Sequence, residues 1–175
     1  MYHGGYGLFT YNGVPKSGYE ALRLLGQLGN CCIASGDGWY FTQSEREWQL
    51  ILYNYTHYDN IYRYRYRRLE HPEDAYSVFE SGKVVRFQVT FPALRRGLYQ
   101  IEQQEITRTS GSSFDLWLAA GAPPSPDRVF LQYLAEHASA HRTMTTEQVD
   151  IALRLDATLQ PLEVRLFRIR KMNFT

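Results

Sequence analysis

The sequence predicts a mainly β protein: an antiparallel β-sandwich preceded by one amphipathic helix, with a further short helix inserted near residues 125–138. Three observations predict it. Short runs of β-forming residues recur between turn signals from residue 31 onward. Most of these runs have no helical stretch between them, as parallel crossovers would require. Aromatic residues make up 15% of the 175 residues, with 14 Tyr against 9 Phe and 3 Trp, a composition suited to strands.

Each element has its own signal. Residues 1–16 carry four Gly and one Pro, which argue for a shaped loop. Ser17 and Glu20 fit a capping box, with Ser17 as N-cap and Glu20 at the third helical position. Tyr19, Leu22, Leu25 (with Leu24) and Leu28 then recur at helical spacing, and Gly29-Asn30 supplies the stop. Residues 31–35, 39–42 and 48–55 read as strands. Gly36-Asp37-Gly38 marks a hairpin turn between the first two, and Trp48–Tyr55 is apolar on both faces, as a central strand would be. Pro72–Phe79 reads as a short helix with Pro at its first position. Val85, Phe87, Val89 and Phe91 alternate with polar residues, and Gly97–Thr107 is a second such run. Phe114–Ala120 reads as a further strand or an ordered loop. Ser125-Pro126-Asp127 opens a helix to about His137, with Val129, Phe130, Tyr133 and Leu134 as its apolar stripe. Two closing strands follow, one through Val149, Ile151, Leu153 and Leu155 and one through Val164, Leu166 and Ile169.

Charge and cysteine usage narrow the class. Lys and Arg number 19 against 18 Asp and Glu, a net charge of +1. That balance lacks the electrostatic drive of a nucleic-acid or membrane-surface protein, and no apolar run reaches the length of a membrane span. Cys31 and Cys32 are adjacent and have no third partner. They read as small buried residues of a reducing compartment, hence a cytoplasmic protein, and no secretory signal opens the chain. The length is too short for a complete (β/α)8 barrel, which needs about 250 residues.

No constellation points to chemistry. Tyr62, Tyr64 and Tyr66 alternate with Arg63, Arg65 and Arg67, which reads as one strand with Tyr on one face and Arg on the other. His57 and Asp59 would share a side only if the strand continued, and no Ser or Cys nucleophile accompanies them. His137 and His141 lack the Glu of a zinc-protease motif and read as surface residues. Glu102 and Glu105 are an odd number apart and would face opposite ways. Glu70, Glu73 and Asp74 read as a solvated run, and the early glycines do not form a phosphate loop. Asn54-Tyr55-Thr56 and Asn173-Phe174-Thr175 match the glycosylation sequon, which matters only in a secreted protein. No catalytic residue, cofactor or metal site is expected.

Three stretches, in order, resemble family-39 glycoside hydrolases, the β-xylosidase group. Residues His3–Lys16 with Tyr19–Leu25 look like that group's last barrel loop and helix. Leu52–Asp59 with Tyr62–Arg65 look like the start of its C-terminal sandwich. Ser110–Trp117, followed by Gly121–Pro123, look like a later signature of the same domain. The resemblance implies residues 1–30 as the last loop and helix of a truncated (β/α)8 barrel and 31–175 as a β-sandwich accessory domain of a bacterial enzyme. It implies a retaining mechanism with two glutamates about 5 Å apart, one in an Asn-Glu-Pro context. No Asn-Glu dipeptide occurs here, so no catalytic residue carries over and the chain alone is expected to be inactive.

The partners so implied are the catalytic barrel of the same parent chain and xylo-oligosaccharide only through the parent enzyme. Tyr19, Leu22, Leu25 and Leu28 would meet the barrel, fold back on the sandwich, or join a second chain as a homo-oligomer. Phe114, Asp115 and Trp117 are candidates for the same contact, with ordinary core as the alternative for the two aromatics. Two other functions fit the sequence: a carbohydrate-binding module with Tyr and Trp platforms, and the sensor tail of a transcriptional regulator with a glycosidase-like region.

Overall fold

The structure, a computed structural model, describes residue 2 and residues 7–59, 71–91 and 94–172. The Tyr-Arg alternation at 62–68, Glu70, the first glycines and the second sequon lie outside the described residues.

Leu8 to Lys16 fold into a small closed loop, with Phe9 bridged to Pro15 and Lys16 N donating to Leu8 O at 2.8 Å. Helix α1 spans Ser17–Leu25. Its N-cap is Lys16 rather than Ser17, and Glu20 does not close a capping box. Its carboxylate instead turns inward, pairs with Arg23 at 2.8 Å and accepts from Ala140 N at 3.1 Å. The helix ends at Gly26, before the expected Gly29. Gly29 is instead required by close packing, because a Cβ there would overlap the backbone of Gln43.

Eight strands follow: β1 Cys31–Gly36, β2 Trp39–Gln43, β3 Trp48–Tyr53, β4 Val85–Phe91, β5 Gly97–Ile106, β6 His141–Val149, β7 Leu153–Leu159 and β8 Val164–Lys171. They form a six-stranded antiparallel sheet in the order β1-β2-β3-β8-β5-β6 and a two-stranded sheet β4-β7. The β1–β2 hairpin turns at Asp37-Gly38, with Gly38 at φ +77°, a backbone region that favours glycine. Strand β3 is central as its two-faced apolar pattern predicts, between β2 and β8. Alternation then sorts the side chains. Leu50, Leu52, Tyr99, Ile101, Phe167 and Ile169 point to the small sheet, where Phe91, Leu153, Ala157 and Leu159 complete the main core. Ile51, Ile106 and Leu166 point the other way, under Leu24 of α1. The helix therefore covers the outer face of the large sheet.

Four sequence expectations are corrected. Residues 114–120 are not a strand: helix α2 spans Ser113–Ala119, with Ser112 Oγ accepting from Asp115 N at 3.2 Å. The closing region holds three strands, because Asp150 and Ile151 interrupt the run and β6 precedes it with side chains that are mostly exposed. Helix α3, Arg128–His137, begins where expected, with Asp127 as its N-cap, but buries Leu134, while Val129 and Tyr133 of the expected stripe face solvent. Cys31 and Cys32 are exposed, not buried, since β1 is an edge strand.

The expected short helix at Pro72–Phe79 is a 3-10 helix over Pro72–Val78, with Glu73 and Asp74 solvated at its start. Asn54 closes the strand end at the seam between the sheets. Its amide donates to Lys83 O at 2.8 Å and Leu159 O at 3.1 Å. With its side chain buried and engaged, Asn54 presents no accessible sequon.

Candidate functional site

The residues of α1 divide between two faces. Leu24 is buried, and Ala21 and Leu28 pack with it against the sheet. Leu22 is 52% exposed and Leu25 45% exposed, and the exposed Leu8, Phe9 and Tyr11 of the preceding loop add to the uncovered apolar surface. Tyr19 is half-buried, its ring 4.7 Å from that of Phe9. Of the four residues predicted as one stripe, Leu28 thus belongs underneath and Leu22 and Leu25 lie outside. Leucines at 22, 24, 25 and 28 fit either phase of a helix, so spacing alone could not assign them.

The exposed Leu25 rims a groove of about 520 Å³ on the outer face of the large sheet. Ala21, Tyr40, Ile51, Tyr53, Leu162 and Val164 line most of it. Tyr40 and Tyr53 stack with rings 6.3 Å apart. The lining is almost wholly apolar, which suits a protein side chain better than a sugar, whose hydroxyls need polar partners.

Next to the groove the same face is polar and internally satisfied. Glu47 binds Arg168 at 2.7 Å and Arg170 at 3.1 Å, and Glu102 binds Arg142 at 2.9 Å. Burial alone would raise the Glu47 carboxyl, but hydrogen bonds from Arg168, Gln49 and Arg170 outweigh it and hold it below the usual glutamate value. As predicted, Glu102 and Glu105 occupy opposite faces, Glu105 pairing with Arg165 at 3.1 Å.

Phe114, Asp115 and Trp117 sit on α2, which packs against the loop before α1 through Val14 and Pro15. Trp117 is 4% exposed, packs with Val14 and Leu134, and donates from Nε1 to Pro123 O at 3.0 Å. Phe114 packs half-buried beside it. Asp115 accepts from Tyr76 Oη and Ser112 Oγ, both at 2.6 Å, and from Arg108 Nε at 3.3 Å. Burial, then the hydrogen bond to Asp115 and its negative charge, push the Tyr76 phenol well above its ordinary value. The cluster ties the 3-10 helix to α2 and is an internal brace. Sequence reasoning missed Tyr76, 39 residues from Asp115, and Arg108, which lies only seven residues before it on the loop leading into α2.

Strand β3 ends at Tyr53, so His57 and Asp59 do not follow its alternation; the His57 carbonyl accepts from Glu80 N at 2.9 Å. His137 closes α3 and His141 opens β6, both at the surface as expected. Among the described residues no group of three His, Cys, Asp or Glu could hold a metal, and no helix is long and apolar enough to cross a membrane.

No protein-family model matches the chain, and a search of curated proteins finds no relative. Solved structures share its fold. A monomeric β-xylosidase from Caulobacter crescentus CB15 superposes with a TM-score of 0.74 at 15% identity, over 97% of this chain and 34% of that one. The GH39 enzyme from Xanthomonas axonopodis pv. citri gives 0.70 at 13% identity, over 98% and 33%. A bacterial orthologue of human α-L-iduronidase gives 0.58 at 15% identity, over 91% and 28%. The fold is that of part of a family-39 β-xylosidase, the family whose motifs the sequence resembles, and the chain spans about a third of the length of these proteins.

Proposed function

We propose that this chain is the non-catalytic C-terminal region of a β-xylosidase-like retaining glycoside hydrolase of the bacterial cytoplasm. Residues 1–30 are the last loop and helix of the catalytic barrel, and 31–175 are an accessory sandwich that buttresses it. One observation carries this reading: α1 is apolar on two faces, one closed over the sandwich by Leu24 and the other open at Leu22 and Leu25. A helix wedged between a barrel and a sandwich needs both. Fully burying each exposed leucine is worth about 1.5–3 kcal/mol, which favours a partner over water. Tyr19, Leu22 and Leu25 meet the barrel of the same parent chain. A homo-oligomer through helix 17–28 is the substitute contact when the barrel is absent. Xylo-oligosaccharide reaches the protein only through the parent's active site.

The test is hydrolysis of 4-nitrophenyl β-D-xyloside by the purified chain. The expected result is no release above buffer. Turnover that disappears on changing one of the chain's own glutamates to Gln would overturn the reading. A xylo-oligosaccharide titration separates the carbohydrate-binding alternative: saturation with a tyrosine or tryptophan emission change at millimolar or lower sugar favours that module instead.

A further inference from the structure

The two cysteines of the chain are adjacent, exposed and without a third thiol to pair with. They open β1, an edge strand of the large sheet. Cys31 pairs with Gln43 and Cys32 with Thr42; the register then slips, and Ile33 is passed over before Ala34 pairs with Phe41. Such a bulge interrupts the ladder, so two residue pairs hold the backbone of the thiols to β2 ahead of it. Neighbours on a strand point to opposite faces. Cys32 shares the outer face with Thr42, and Cys31 the inner face with Gln43. The same two residues of β2 fasten the chain leaving α1. Gly29 N donates to Thr42 Oγ1 and to Gln49 Oε1, both at 3.0 Å, and Thr42 Oγ1 donates to Gln49 Oε1 at 3.0 Å. Thr42 and Gln49 are buried, and the Gln43 backbone leaves no room for a side chain at residue 29. The thiol pair and the joint of α1 therefore hang on the same positions, Thr42 and Gln43.

We propose that Cys31 and Cys32 form a redox-modification site: the pair reacts with a small-molecule disulfide of the glutathione type and closes into a ring disulfide between neighbours, which loosens the joint between α1 and the sandwich. One thiolate attacks the small disulfide, forms a mixed disulfide and releases one small thiol. The second thiolate attacks the bonded sulfur of its neighbour and expels the other small thiol. Two protein thiols are oxidised, one disulfide is reduced to two thiols, and the two protons end on the thiols released. The second protein thiol is tethered one residue away, so ring closure outruns capture of another small molecule or another chain. Adjacent Cα atoms lie about 3.8 Å apart, short of the roughly 4.4–6.8 Å usual for a disulfide. The ring is therefore strained, and strained, exposed disulfides are the ones readily reduced again. The extended strand holds the two sulfurs on opposite faces, so closure turns the 31–32 peptide out of the strand and undoes the pairs with Gln43 and Thr42. Gly29, two residues upstream, then loses its fixed seat. The functional consequence rests on the proposed reading of α1 as the last barrel helix: oxidation slackens the hold of the sandwich on the barrel.

The test uses the whole chain, oxidised glutathione as the probe, intact-mass measurement and amide exchange. The wild type should lose the mass of two hydrogen atoms and keep no glutathione, while Cys31→Ser and Cys32→Ser should each keep one. Exchange over residues 29–32 and 42–43 should rise about tenfold or more on oxidation, with β5 unchanged, and dithiothreitol should reverse both effects. Both cysteines are exposed, so the serine variants should keep the fold, and a chain carrying both substitutions should show no change in exchange with the probe. No reaction, two retained glutathiones, or disulfide-linked dimers as the main product would each overturn the modification site. Ring closure with unchanged exchange at Gly29 would overturn its coupling to α1. Xyloside turnover by the chain would sink the glycosidase-region reading and leave the thiol result standing, so the two failures are separable.

Discussion

The large sheet ends in two edge strands that are almost equally exposed and chemically opposite. Strand β6 shows solvent Arg142, Thr143, Thr145, Thr146, Glu147 and Gln148, with Met144 as the apolar exception. Strand β1 shows Cys31, Cys32, Ile33, Ala34 and Ser35, without a charge. Behind β6 lies the internally paired Glu102–Arg142 bridge. Behind β1 lie Trp39 and Phe41 on the inner face and Tyr40 and Tyr53 on the outer. Natural sheets blunt free edges with charge and polar side chains. By that rule β6 is finished for water and β1 is not. Exposed Ile33 on β1, Tyr40 beside it on β2, and Leu22 and Leu25 on the outer face of α1 mark where the proposed contacts fall.

The comparison can be sharpened by graded substitutions. The reference is the covered middle of the sheet. Ile169→Ala on β8, where the side chain is fully buried, should cost about 2–5 kcal/mol in urea or thermal unfolding. A loss well below that would mean the middle is no better packed than the edges. Next comes the ion-pair band. Glu102→Leu removes the carboxylate that pairs with Arg142, Arg168 keeping Glu47, and should cost about 1–3 kcal/mol.

Glu47 adds a pH dependence with a defined sign. Its folded-state pKa is depressed, so its contribution is complete above the ordinary glutamate range and is lost as pH falls through the lowered value. Acid unfolding of Glu47→Gln should therefore be less steep below that range. Equal steepness in both proteins would contradict the assignment.

The edge variants come last. Leu25→Lys and Ile33→Lys should leave the chain's own stability within about 0.5 kcal/mol, because neither side chain is covered. They should nevertheless weaken every association made through the β1 end. Met144→Lys on β6 should change neither quantity. If Met144→Lys and Leu25→Lys reduce association alike, the contrast between the two ends is false.

Much of the architecture was legible in the sequence where burial alternates with exposure. The Asp37-Gly38 turn, the two-faced β3, the half-buried β4 and β5 and the Asp127 cap all follow from local pattern. Strand β6 was not legible, because its threonines and charges face water on both sides and leave no alternation to read. Helix α2 did carry a signal, since Ser112 and Asp115 form a capping pair, but its seven residues are too few for a helical period. The cysteines were misplaced for a different reason: burial of a short apolar run depends on where the sheet stops, which is a matter of topology. Glu20 likewise caps nothing locally because Ala140, 120 residues away, offers its amide. The candidate surface was half legible. The leucines of α1 were found, but which of them the sandwich had already covered required the three-dimensional phase of the helix.

The central claim is that the uncovered apolar surface at α1 and the β1 end belongs to an interface. Light scattering across the micromolar to millimolar range, on the wild-type chain and on a variant carrying both Leu22→Lys and Leu25→Lys, addresses it most directly. The expected result is concentration-dependent association of the wild type and a monomer for the double variant, at unchanged thermal stability. A wild-type chain that stays strictly monomeric at every concentration, with residues 7–29 exchanging their amides freely, would contradict it.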